Sequence, residues 1–134
     1  MNKSDLLRVS IDEFFRDKEH FDALSNLVSR RDGISLRNIE WFITNYSKRR
    51  NIEIINRTGK TIVVHCAYKS SLDGYSKKLF DPFCRTAKIN YTLPTGEVMS
   101  TTIAQLNFIR WCIKTGILKY IHDNKTSLLT EYVK

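Results

Sequence analysis

At 134 residues, with 42% hydrophobic and 27% charged side chains, the chain has the size and composition of one globular domain that can bury a core without disulfide or metal staples. No apolar run approaches the roughly 20 residues of a membrane span, and the opening MNKSDLLRVSIDEFF lacks the apolar stretch of a signal peptide, so no membrane association is expected. A formal charge of +8 attracts polyanions, nucleic acid above all, although charge also serves solubility alone.

The charge is uneven. Residues 1–33 are net −1, 34–60 net +4, 61–93 net +3 and 94–134 net +2, so the basic excess starts after Asp32. Ser10-Ile11-Asp12-Glu13 reads as a capping box, and Ile11, Phe14, Phe15, Phe21, Leu24, Leu27 and Val28 recur near a helical period. One N-terminal helix ending near Gly33 is predicted. Ser35 caps a second helix to about Lys48, with Leu36, Ile39, Ile43 and Tyr46 as its buried stripe. Its end, Lys48-Arg49-Arg50, complements the helix dipole or offers a cationic contact beside Trp41.

Ile52–Ile55 and Thr61–Tyr68 are rich in β-branched residues and read as strands, joined by a turn at Asn56-Arg57-Thr58-Gly59. In the second strand Ile62, Val64, Cys66 and Tyr68 alternate with Val63, His65, Ala67 and Lys69, and the first set is assigned to the core. Lys88–Leu93 returns as a strand, Pro94-Thr95-Gly96 turns it, and Glu97–Ser100 pairs back. Thr101-Thr102 caps a helix to about Thr115, with Leu106, Ile109 and Ile113 buried, Trp111 partly so, and Asn107, Arg110 and Lys114 as a polar stripe. A short helix with Ile117, Leu118 and Ile121 follows, then a polar tail. The fold class is α+β: a small antiparallel sheet of about four strands flanked by N-terminal and C-terminal helices, in a single domain.

Three widely spaced cysteines, Cys66, Cys84 and Cys112, argue against a disulfide framework and for a reducing compartment. His65 and Cys66 are adjacent, and in a strand they point to opposite faces, so no metal site is expected. Cys84 beside Arg85 is a candidate nucleophile, with His65 or His122 as base, but no convergent acid–base set occurs. The chain is therefore expected to be no enzyme and to carry no cofactor.

The richest stretch is YKSSLDGYSKKLFDPFCR (68–85): three lysines and one arginine against two aspartates, with four aromatic rings interleaved. Cations beside flat rings suit a phosphate backbone and stacked bases. The same mixture suits a segment folded on its own protein, rings buried and lysine heads in water.

This stretch, together with SLRNIEWFITNYSKRR (35–50) and TTIAQLNFIRWCIKTGILKYI (101–121), resembles a family of small basic uncharacterised proteins of nucleocytoplasmic large DNA viruses: mimivirus-, marseillevirus- and algal-virus-like. The densest similarity is Tyr68-Lys69-Ser70, Tyr75-Ser76-Lys77-Lys78, Phe80-Asp81-Pro82-Phe83-Cys84-Arg85 and Gln105-Leu106-Asn107-Phe108, with Arg110-Trp111. The resemblance divides the chain into an N-terminal helical region (1–33) that looks less like the family, a core (34–121) and a polar tail (122–134). It implies a viral setting, in host cytoplasm at the viral factory, in the virion or in the host nucleus.

Two functions follow. One is non-sequence-specific nucleic-acid binding, DNA before RNA, for genome handling, packaging or transcription. Its contacts would be Lys69, Lys77, Lys78, Arg85 and Lys88, with Arg49 and Arg50 alongside, and Tyr75 and Phe80 would stack on bases if exposed. The alternative is a structural or adaptor protein of the virion or viral transcription machinery, partnered by other viral proteins. In that reading Asp81 pairs with Arg85, or Asp73 with Lys77, and 68–85 is an interface.

Overall fold

A computed structural model describes residues 2–56, 58–93 and 95–133. Asn2, and not Ser10, opens the first helix: its side chain accepts from the Asp5 amide at 2.8 Å, and α1 runs Lys3–Phe14. The chain then breaks. Asp17 accepts from the amides of Glu19 and His20 and caps α2, Lys18–Ser29. The single N-terminal helix is thus two helices, because Asp17 is a strong cap and Arg16 to His20 contain no apolar side chain to carry a buried stripe across the gap.

Ser35 caps α3 (Leu36–Trp41) as expected, in a capping box with Asn38. A π-helical turn, Phe42–Tyr46, leads without interruption into α4, Ser47–Arg50. Ile39, Phe42 and Ile43 are buried. Next come two separate antiparallel ribbons: β1 (Glu53–Ile55) with β2 (Thr61–Val63), Ile54 opposite Ile62, and β3 (Ile89–Thr92) with β4 (Val98–Thr101), Tyr91 opposite Met99. The four strands expected are present, in two pairs. Arg57 and Pro94, within the two expected turns, lie outside the described residues. On either side of them Asn56 O accepts from Gly59 N and Leu93 O from Gly96 N, each glycine at positive φ.

The residues from Val64 onward, read as continued strand, form α5 (Val64–Tyr75), followed by the short α6 (Lys77–Phe80). Val64 and Tyr68 are buried, and Leu72 and Tyr75 pack behind them. That spacing continues with a helical period, and the long connection is therefore helical. It separates β2 from β3, which is why the strands pair as two ribbons.

Helix α7, Ile103–Thr115, is capped by Thr102 and stopped by Gly116 at φ 85. It is the central element, packed by α1, α2, α6 and α8 (Ile117–Asp123). Its expected polar stripe is corrected. Lys114 is exposed, but Asn107 and Arg110 are only 1% and 6% exposed, because α1 and α6 cover that side. The polar tail is also corrected: Lys125–Tyr132 is a helix, α9. It buries Leu128 and sets Tyr132 edge-on to Trp41 at 5.3 Å. No helix among the described residues is long and apolar enough to cross a membrane.

Candidate nucleic-acid interface

The segment 68–85 folds as α5, α6 and a turn. Ser76 joins the helices at φ 76, ψ 161, a conformation open to glycine and costing other residues on the order of 1–3 kcal/mol. It holds Lys77 and Lys78 just past the end of α5, where Lys3 Nζ donates to Gly74 O at 3.3 Å. The turn after α6 forms as its residues require: Asp81 O accepts from Cys84 N at 3.1 Å and Asp81 Oδ1 from Phe83 N at 2.9 Å, with Pro82 at the second position.

Three of the four rings of this segment, Tyr68, Tyr75 and Phe80, pack on the core. Phe80 has no exposed surface. It meets Tyr68 and Tyr75 at 5.7 Å, Phe108 at 5.7 Å and Trp111 at 5.4 Å. Such pairs add about 0.5–1.5 kcal/mol each beyond their area burial. Phe80 is therefore no stacking platform for bases, which corrects that expectation: α7 lies over it. Tyr75 is half-buried, its ring nearly parallel to that of Phe80. Burial, with Asp81 and Glu40 adding, pushes the Tyr68 phenol up to about 12.

Two side-chain amides of α7 fasten the turn. Asn107 Nδ2 donates to Leu79 O at 2.8 Å, and Gln105 Nε2 to Pro82 O at 3.0 Å. Asn107 Oδ1 in turn accepts from Arg110 Nη2 at 2.9 Å, and Arg110 Nη1 donates to Ser10 Oγ of α1. The stretches 68–85 and 101–121 are therefore one hydrogen-bonded unit, reaching α1 through Arg110.

The cations stand outside this unit. Lys69, Lys77, Lys78, Arg85 and Lys88 are all exposed. Among the described residues none has a carboxylate within salt-bridge distance, while Arg50, Lys119 and His122 do. The pairings Asp81–Arg85 and Asp73–Lys77 are not formed. Arg85 and Lys88 line one cleft, and Lys77 and Lys78 share α6. Arg49 and Arg50 are engaged otherwise: Arg49 Nε donates to Asn45 Oδ1 at 2.7 Å, and Arg50 bridges to Glu131 of α9 at 3.3 Å with its guanidinium over Tyr46.

Arg37 was missed from sequence. Its guanidinium carbon lies 3.7 Å from the centroid of Phe83, a cation–π contact. The available signal was a cation in the first turn of α3, where the helix dipole disfavours it. Neither His65, in the first turn of α5, nor His122, beside Asp32, lines the cleft of Cys84, which holds no carboxylate. Cys112 is fully buried and its thiol is pushed well up by that burial. The described residues contain no group of three His, Cys, Asp or Glu side chains arranged for a metal.

A helical shell around one buried helix and two short antiparallel ribbons define a small α+β protein. The chain belongs to a family of unknown function, DUF7197, which it matches over residues 1–132. The N-terminal region is thus part of the family unit, in keeping with the bond from Arg110 to Ser10. The chain is 36% identical over 117 residues to an uncharacterised protein, L507, of Acanthamoeba polyphaga mimivirus, covering 81% of this chain and 45% of the relative. It spans less than half of that relative's length. The resemblance to uncharacterised proteins of large DNA viruses stands. No solved structure matches the chain at a significant level.

Proposed function

We propose that this protein binds the phosphate backbone of nucleic acid, DNA in the first instance, without reading base sequence, and that it serves genome handling in a large DNA virus. The observation that carries the reading is that Lys69, Lys77, Lys78, Arg85 and Lys88 are exposed and unpaired among the described residues. Exposed lysines act as point charges on phosphates and release counterions, which gives affinity without specificity. Burial of Phe80 and the packing of Tyr75 against it remove the stacking component that single-strand binders use, so the contact is with phosphates. Arg49 contributes less, and Arg50 only by leaving Glu131. The adaptor reading instead makes 68–85 a protein interface; the pairings Asp81–Arg85 and Asp73–Lys77, which would have neutralised part of its charge, are not formed among the described residues.

The test is fluorescence anisotropy with duplex and single-stranded oligonucleotides of unrelated sequence over a salt series. Lys77→Ala with Lys78→Ala should weaken all of them alike and flatten the log–log salt slope by about 1.4–1.8, since each phosphate that a lysine neutralises adds about 0.7–0.9 to that slope. An unchanged slope would remove these lysines from the interface. No binding at low salt would overturn the proposal in favour of the adaptor reading, to be followed by capture of viral protein partners on the 68–85 surface.

A further inference from the structure

Beyond Phe80 the turn opens onto a cleft of about 260 Å³, lined among others by Phe83, Cys84, Arg85, Thr86, Lys88 and Thr102. Its charge sets it apart. The larger cleft between β1 and α8 carries Glu53 and Asp123 with Lys119, the one along α1 and β3 carries Asp12 with Arg8 and Arg16, and the one between α2 and α8 carries Glu19, Asp22 and Asp32 with Lys119. The Arg85–Lys88 cleft has two cations and no carboxylate in its lining. Arg37 lies on the Phe83 ring but does not line the cleft. The Thr86 hydroxyl makes no hydrogen bond within the described protein. Thr102, the N-cap of α7, faces the cleft from the other side, so the positive end of that helix dipole reinforces the field.

We infer that this cleft binds a terminal phosphate, a phosphate monoester supplied by a strand end or by a free nucleotide. Arg85 offers the planar fork that grips two phosphate oxygens, Lys88 the point charge and Thr86 a hydroxyl donor. A monoester carries about −1.5 to −2 at neutral pH, which matches two cations with no acid between them, whereas an internal diester brings one charge. The volume lies below the roughly 300–1,000 Å³ of sites that enclose a whole small molecule, so the cleft takes the phosphate and part of its sugar and leaves the base outside. Lys69, Lys77 and Lys78, on α5 and α6, suit a backbone passing by. A strand end as the source rests on the proposed function; the phosphate chemistry of the cleft does not.

The experiment uses the full chain and oligonucleotides of one sequence with a 5′-phosphate, a 3′-phosphate or neither, alongside deoxyadenosine 5′-monophosphate. One phosphorylated end should raise affinity about tenfold, the scale of a charge-assisted hydrogen bond. Arg85→Ala with Lys88→Ala should erase that advantage, whereas Lys77→Ala with Lys78→Ala should weaken all oligonucleotides and keep it. A second readout uses Cys84. In a Cys66→Ser variant, with Cys112 buried, alkylation of Cys84 by iodoacetamide should slow at saturating mononucleotide. Equal affinity for all ends together with unprotected Cys84 overturns the cleft assignment, and salt-dependent binding of the same oligonucleotides then leaves the backbone reading in place. Protection by the mononucleotide without any oligonucleotide binding does the opposite: it supports the cleft, with free nucleotide as its source, and overturns the backbone reading.

Discussion

Replacing Asn107 by alanine removes two hydrogen bonds at once in a place water does not reach. The side chain is 1% exposed, donates to Leu79 O at 2.8 Å and accepts from Arg110 at 2.9 Å. Each orphaned buried group costs about 1–3 kcal/mol, and the charged one more, so Asn107→Ala should destabilise the fold by about 3–5 kcal/mol. That is a large share of the 5–15 kcal/mol typical of a domain. Urea unfolding followed by far-UV circular dichroism measures it. Arg110→Met keeps the stem volume of the arginine and discards its charge, so it should cost less in the Asn107→Ala background than in the native one. A coupling energy of about 1–3 kcal/mol is expected from the double-mutant cycle. A change within about 0.5 kcal/mol, the range of surface substitutions, or a cycle additive within about 0.5 kcal/mol, would refute the buried network and return Asn107 and Arg110 to solvent.

Leu106 has no exposed surface, and Leu106→Ala should cost about 2–5 kcal/mol in the same assay. Leu128→Ala, at 4% exposure, should cost more than about 1 kcal/mol if α9 is docked, and stay within about ±0.5 if the tail is loose. Ser76→Gly should gain about 1 kcal/mol, from relief of about 1–3 of strain less about 0.5–1 of glycine entropy; a net destabilisation would contradict the φ of 76. The phenols of Tyr68 and Tyr91 are raised from 10.0 to about 12, mainly by burial, with Asp81 and Asp12 adding respectively. Because the folded values lie above the unfolded ones, their contribution is whole below about pH 10 and is lost as pH rises through about 12; urea midpoints should fall over that window, and Tyr91→Phe should flatten the fall.

The helices from Ser35 and Thr102 were legible because their caps and buried stripes are local, each within a few residues of the backbone groups it satisfies. Thr61–Tyr68 was not, because Val64 and Tyr68 fit a period of two as well as a helical turn. Only Leu72 and Tyr75, further on, break the tie. Helix α9 offers one buried leucine on a polar sequence, too little periodicity to find; it is ordered by what it meets, Trp41 and the main chain at Asp32, whose carbonyl accepts from Lys125 at 2.8 Å. Asn107 and Arg110 were assigned to solvent by the rule that polar stripes face water. Their partners, Leu79 O and Ser10, are remote in sequence, and no local pattern announces them.

The same distinction separates structure from candidate function in the stretches that carry the family resemblance. Their rings and amides are accounted for by folding: Tyr68, Phe80, Phe108 and Trp111 form one cluster, and Gln105 and Asn107 hold the backbone of the turn that Phe80 anchors. Lys69, Lys77, Lys78, Arg85 and Lys88 satisfy no buried group and close no ion pair among the described residues. Removing them should leave the fold intact, since surface changes away from such features fall within about ±0.5 kcal/mol. Side chains that folding does not require, set on a scaffold held rigid by those it does, are the ones available for a ligand. Under the proposed function, their shared positive charge selects an anion.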